Sequence, residues 1–175
     1  MPYLFPSTIV PSNIEFVAKT NISVFASPYT GKTQVTRFQG GQWWELILSF
    51  PPLTPSEAQT LTGYLTRLGG QDGTFYYTLP DMFAMSGSVV ATVLANGNDF
   101  TLSSGTPQIG LFGSDSVAKR LVQFTSATSL FPVLTAGAKT ITNTGSLFRL
   151  TNNEVRFTVN EMRDYGVVIA IRETL

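Results

Sequence analysis

Between Gln42 and Phe50 the chain alternates. Trp44, Leu46, Leu48 and Phe50 take the even positions, while Glu45 and Ser49 fall on the other phase. A period of two is that of a strand with one buried face. Pro51-Pro52 ends it, because neither proline can donate to a ladder. The period then lengthens. Ala58, Leu61, Leu65 and Leu68 recur at helical spacing and form one narrow apolar stripe. Thr54 stands at the N-cap, Pro55 in the first turn and Glu57 where a capping box needs it, with Leu53 placed to staple onto Ala58. Gly69-Gly70 stops the run, the first glycine taking the left-handed conformation. A helix is predicted over 55–68, and no second one.

The remaining periodic segments are short strands. Thr74 to Thr78 is aromatic (Phe75, Tyr76, Tyr77). Ser88 to Leu94 and Asp99 to Leu102 flank Asn96-Gly97, a hairpin turn signal. Ser103 to Gly113 reads as a Gly/Ser/Pro-rich loop, and Arg120 to Thr125 as a strand. Lys139–Asn143, Ser146–Thr151, Glu154–Val159 and Tyr165–Arg172 follow in close succession. Strands so closely spaced predict a mainly β chain: an antiparallel β-sandwich or barrel with one flanking α-helix. Residues 82–138 are richer in Gly, Ser and small apolar residues than their surroundings. They are expected to form a small β insertion in a core built from 1–81 and 139–175.

Composition narrows the function. Charged residues make up 13% of the 175 residues, with 11 basic and 11 acidic side chains and no net charge. An ordinary domain carries roughly 25% charge. Neutral polar surface is cheap to desolvate and suits subunit contacts. The zero balance gives no electrostatic footprint for nucleic acid. Neither cysteine nor histidine occurs. That removes disulfides, thiolate chemistry, the commonest general base and the commonest transition-metal ligand. The proline-broken start, Met1 to Asn13, lacks the basic region of a signal peptide. No apolar run approaches the ~18 residues of a membrane span. Synthesis in the cytoplasm and no membrane partner are expected.

Few motifs carry chemistry. Ala26-Ser27-Pro28-Tyr29-Thr30-Gly31-Lys32-Thr33 matches a relaxed phosphate-loop pattern. A working loop of that kind lies between a strand and a helix whose first amides hold the phosphates. Asn21 to Phe25 suits the strand, but Gln34 to Gly41 carries β-branched residues and a glycine pair, which do not make a helix. A polar turn between two strands is expected instead. Glu154 with Glu161 and Asp72 with Asp81 are the carboxylate pairs that would serve a small hydrolase. Strand polarity and turn chemistry account for them. Asn96-Gly97-Asn98-Asp99 lacks the alternating acids and distal Glu of a calcium loop. No catalytic, cofactor or metal residue is therefore assigned. Trp43 and Tyr76 fall on the phase opposite the core and are expected to be exposed. Exposed Trp and Tyr mark protein interfaces more often than sugar platforms.

Taken in order, several pieces resemble a family. Ser27-Pro28-Tyr29-Thr30-Gly31 precedes Trp43-Trp44-Glu45, which leads into Pro51-Pro52. Then come Ser56-Glu57-Ala58 opening the helix, Gly69-Gly70, Gly73-Thr74-Phe75 and Pro80-Asp81. Gly145-Ser146-Leu147-Phe148-Arg149-Leu150 and Tyr165-Gly166-Val167 continue the likeness near the end. This series resembles bacteriophage distal tail proteins over most of the chain, least from Met82 to Ala138. The resemblance implies a non-enzymatic structural protein of the virion tail tip. Such subunits form a ring, often hexameric, that joins the tail tube to the tip or baseplate hub, using a β-sandwich with a flanking helix and no cofactor. DNA would pass through the lumen without specific binding, which a neutral chain suits. Many of those proteins carry a larger second domain for host attachment than 82–138 provides. Ser27, Tyr29 and Lys32 in the projecting turn, with Trp43 and Tyr76, are the expected contacts with neighbouring subunits or tail partners. A carbohydrate-binding β module of a host-recognition tail fibre is the alternative.

Overall fold

The computed structural model describes residues 2–152, 157–159 and 165–174, with the backbone alone at 37–40 and 157–159. The alternation of Gln42 to Phe50 becomes burial: Trp44, Leu46, Leu48 and Phe50 face the core, and Trp43, Glu45, Ile47 and Ser49 the other side. All but Phe50 lie on a strand, β3 (Thr33–Ser49), which pairs antiparallel with β2 (Asn13–Ala26) from Ser49 to Gln42 and again from Arg37 to Thr33. β1 (Tyr3–Leu4), β4 (Thr74–Tyr77), β11 (Ser146–Leu150) and β13 (Tyr165–Glu173) complete the path, in the order β1-β4-β11-β13-β3-β2, and β12 (Phe157–Val159) pairs with β13. Among the described strands of this sheet, only β1 with β4 is a parallel pair.

The helix α1 (Pro55–Leu68) is bounded as its punctuation predicts. Thr54 N–H donates to Glu57 Oε2 and Glu57 N–H to Thr54 Oγ1, closing the capping box. Gly69 caps the other end at φ 67°, a conformation that costs glycine nothing. Ala58, Leu61, Leu65 and Leu68 are buried in the same cluster as Leu46, Leu48, Phe75, Phe148 and Ile171. Burying a leucine side chain stabilises by about 1.5–3 kcal/mol, so the stripe rather than helix propensity holds α1 on the sheet.

A second sheet has the order β6-β5-β10-β7-β8-β9. It comprises β5 (Ser88–Val93), β6 (Phe100–Ser104), β7 (Phe112–Asp115), β8 (Leu121–Phe124), β9 (Leu130–Phe131) and β10 (Gly137–Thr142). It surrounds its own cluster, with Val89, Ala91, Phe100, Val122, Phe124 and Ile141 buried. The chain is thus mainly β, two antiparallel-dominated sheets with one helix among the described residues. Aromatic rings fill the junction between the sheets. Phe112 stacks on Phe16 at 4.4 Å, and Trp44 meets Phe112 and Phe131 edge-on at 5.1 and 5.0 Å.

Three details depart from expectation. The strand predicted from Gln42 begins at Thr33, because Thr33 to Thr36, all exposed, are held by pairing with β2 rather than by a buried face. β7 begins at Phe112, inside the stretch Ser103 to Gly113 expected to be loop, and runs on to Asp115. Its Phe112, Gly113, Ser114 and Asp115 are all buried, so no alternation marks it. The strand beginning near Lys139 pairs with β5 and β7 in the second sheet, so the junction back to the first sheet follows Thr142 rather than Ala138. Of the predicted strand Glu154–Val159, residues 154–156 lie outside the described residues.

Candidate interaction surface

β2 and β3 outgrow their sheet. β13 pairs with β3 only from Glu45 to Ser49, and no described strand pairs with the far side of β2. Past Thr20 the register shifts: Thr20 faces Gln42, and the next pair is Ile22 with Arg37. Beyond that irregularity a two-stranded arm continues to Ala26 opposite Thr33 and reaches roughly 20 Å further, at ~3.3 Å per residue plus the turn. Both faces of the arm meet solvent. Val24 and Val35, directly paired, are 56% and 61% exposed, and Phe25 on the opposite phase is 64% exposed. From Asn21 to Gly31 there is no charged side chain. Unguarded strand edges and contiguous exposed apolar residues both favour pairing with another chain.

The turn closing the arm contains Ser27, Tyr29 and Lys32. Gly31, at φ 64°, allows the chain to reverse. Its N–H donates to Ser27 O at 3.0 Å, Ser27 N–H to Lys32 O at 2.9 Å, and Thr30 N–H to Ser27 Oγ at 3.3 Å. Lys32 N–H turns to Thr30 Oγ1. These amides are spent inside the turn, and a strand follows it, so the segment is a hairpin turn and not a phosphate cradle. Tyr29 is 96% exposed at the tip.

Trp43 and Tyr76 are placed differently from expectation. Both lie on the outer face, but each is half-buried rather than exposed, because neighbouring strands carry large side chains on that face too. Trp43 donates its Nε1–H to Glu45 Oε1 at 3.2 Å, and Glu45 Oε2 sits 3.5 Å from Lys19 Nζ. Tyr76 pairs with Leu147 on β11 and borders an apolar cleft of about 410 Å³ lined by Leu4, Phe5, Val10, Tyr77 and Pro80. The strand order separates β4 from β3 by two strands. Thus the tip residues form one patch, and Trp43 and Tyr76 two others.

The candidate chemistry does not converge. Asp72 and Asp81 are exposed, and Glu154 and Glu161 lie outside the described residues. Asn96 Oδ1 accepts from Asn98 N–H and Asp99 N–H, the turn bonding that such a hairpin uses. Among the described residues no cluster of acids could hold a metal ion.

Sequence reasoning missed two groups. Glu173, fully buried, accepts from Leu121 N–H at 2.6 Å, Trp44 N–H at 3.1 Å and Arg120 Nε at 3.4 Å. Arg120 also donates to Gln42 O at 2.6 Å and Val133 O at 3.1 Å, and Gln42 Oε1 accepts from Val133 N–H at 2.9 Å. One guanidinium therefore ties β3 and β13 to the second sheet. Burial pushes the Glu173 carboxyl up, with Arg120 and the two backbone N–H groups pulling the other way. The second group is Arg149 on β11, directly opposite Arg172 on β13, which with Trp43 and Glu173 line a hollow of about 200 Å³. Neither group has a sequence signal, because cross-strand neighbours depend on register. No known protein-family model matches the chain, and no curated protein is significantly similar to it.

Proposed function

We propose that the chain is a non-enzymatic structural subunit of a bacteriophage tail, assembling into a ring that connects the tail tube to the tip or baseplate complex. The observation that carries the reading is the β2–β3 arm, free of charge from Asn21 to Gly31, with exposed apolar side chains on both faces and no described strand pairing with either edge. A two-stranded ribbon of this length, about 10 Å wide, offers on the order of 500 Å² from its two faces, against ~800 Å² per partner in a standard interface. Such an arm meets a different surface on the next copy, a head-to-tail contact that closes into a ring when the rotation allows. The ordered resemblance of the sequence to distal tail proteins supplies the kind of particle. The low charge suits a subunit whose surface is largely covered by copies and by tube and hub proteins. The carbohydrate-binding alternative has less support. It needs an open aromatic platform, whereas Trp43 is half-buried with its indole N–H engaged by Glu45.

Native mass spectrometry of the purified chain is the test. A single closed oligomer is expected, and replacing 22–36 by an Asn-Gly turn is expected to give a monomer with an unchanged melting profile. A wild-type chain that stays monomeric at high micromolar concentration would overturn the ring.

A further inference from the structure

Two like charges placed directly opposite each other on adjacent strands repel, and a chain with no net charge has no general need to hold them there. Arg149 and Arg172 are such a pair. They are register partners on β11 and β13, so their side chains leave the same, outer face with Cβ atoms roughly 5 Å apart. Among the described residues neither guanidinium has a carboxylate within ion-pair distance, and neither makes a hydrogen bond. The Arg149 Nε is buried without an acceptor, a desolvated donor that costs free energy unless something accepts from it.

The surrounding acids are already engaged. Glu45 is the cross-strand neighbour of Arg172, but its two oxygens face Lys19 Nζ and Trp43 Nε1. Glu173 borders the hollow, yet its carboxylate accepts from Trp44, Leu121 and Arg120. On the other side Arg149 is paired with Thr74, which is neutral. The hollow of about 200 Å³ between the arginines and the Trp43 ring therefore carries two positive charges that nothing described offsets.

We propose that this hollow binds a single oxyanion, a carboxylate or a phosphate group, held by the guanidinium forks of Arg149 and Arg172 beside the indole of Trp43. Guanidinium forks match the geometry of both oxyanions, and the charge-assisted bonds are stronger where water is partly excluded. The site lies apart from the arm and stands whether or not the ring exists.

The test titrates the full chain with sodium phosphate, sulfate and acetate against chloride at constant ionic strength. Trp emission and thermal midpoint are the readouts. A saturable response to phosphate or acetate is expected, with chloride giving none. A response to acetate above that to phosphate identifies a carboxylate ligand, and the reverse order a phosphate. Arg149→Gln and Arg172→Gln should each weaken the response by about tenfold or more, the loss of one fork. Arg172→Lys, which keeps the charge but not the fork, should fall between. Removing one of two facing like charges should leave each Gln variant at least as stable as wild type without the anion. Lys32→Gln, on the arm, serves as the control and should titrate as wild type does. A wild-type response no different from that to chloride, or one that survives in the R149Q/R172Q double variant, would overturn the site.

Discussion

Leu65 shows how much one side chain decides. It is 1% exposed, on the third turn of α1, in the cluster shared with Leu46, Leu48 and Ile171. Truncation removes its transfer energy and leaves a cavity that surrounding side chains only partly fill. Leu65→Ala is expected to cost ~2–5 kcal/mol in denaturant unfolding at unchanged m-value. A neutral effect would mean that the stripe is not packed as described. The periodicity of Ala58, Leu61, Leu65 and Leu68 made this burial legible, since an amphipathic stripe must be covered by something. Trp43 and Tyr76 show the opposite case. Their phase put them on the outer face correctly, but phase says nothing about how large the neighbours on that face are, and they came out half-buried.

At the scale of elements, α1 and the arm differ in what specifies them. The ends of α1 are written locally: Thr54, Pro55, Glu57 and Gly69 act on backbone groups within a turn of themselves. The Thr54 N–H and hydroxyl hold the Glu57 carboxyl below its usual range. A carboxyl whose folded pKa is depressed contributes stability that is present above its unfolded value, here 4.5, and lost as pH falls through the folded value. Thermal midpoints measured from pH 6 down to acid should therefore fall less steeply for Glu57→Gln than for wild type. Equal slopes would show that the capping box makes no charge-dependent contribution. The arm has no such local writing. Ile22, Val24 and Val35 are apolar without a core to face, and only strand pairing carries the hairpin past the end of its sheet.

For the whole molecule, the joint between the two sheets rests on a buried ion pair as well as on the aromatic contacts of Phe16, Trp44, Phe112 and Phe131. Arg120 and Glu173 are 53 residues apart, with side chains 14% and 0% exposed. Deleting one partner leaves the other buried and uncompensated, and here it also orphans the N–H groups of Trp44 and Leu121. Glu173→Ala is expected to destabilise by ~3–5 kcal/mol. Hydrogen exchange should show whether the amides of Leu121 and Val133 lose protection first, as the joint requires. Uniform loss across both sheets would instead mark the pair as part of one cooperative core.

The sequence by itself determined the mainly β class, the extent and caps of α1, the core phase of β3, and the turn at Ser27–Lys32. Each depends on residues within a few positions of one another, where period and turn chemistry act directly. Tertiary structure decided the rest. Which strands are neighbours set Arg149 against Arg172, and it placed Arg120 where it could reach both Gln42 and Glu173. It also buried every residue of β7, erasing the alternation by which a strand is read, and it left the outer half of the β2–β3 hairpin uncovered. A long-range pairing closes only when the whole sheet forms, so its register is a property of the assembled fold and not of any window along the chain.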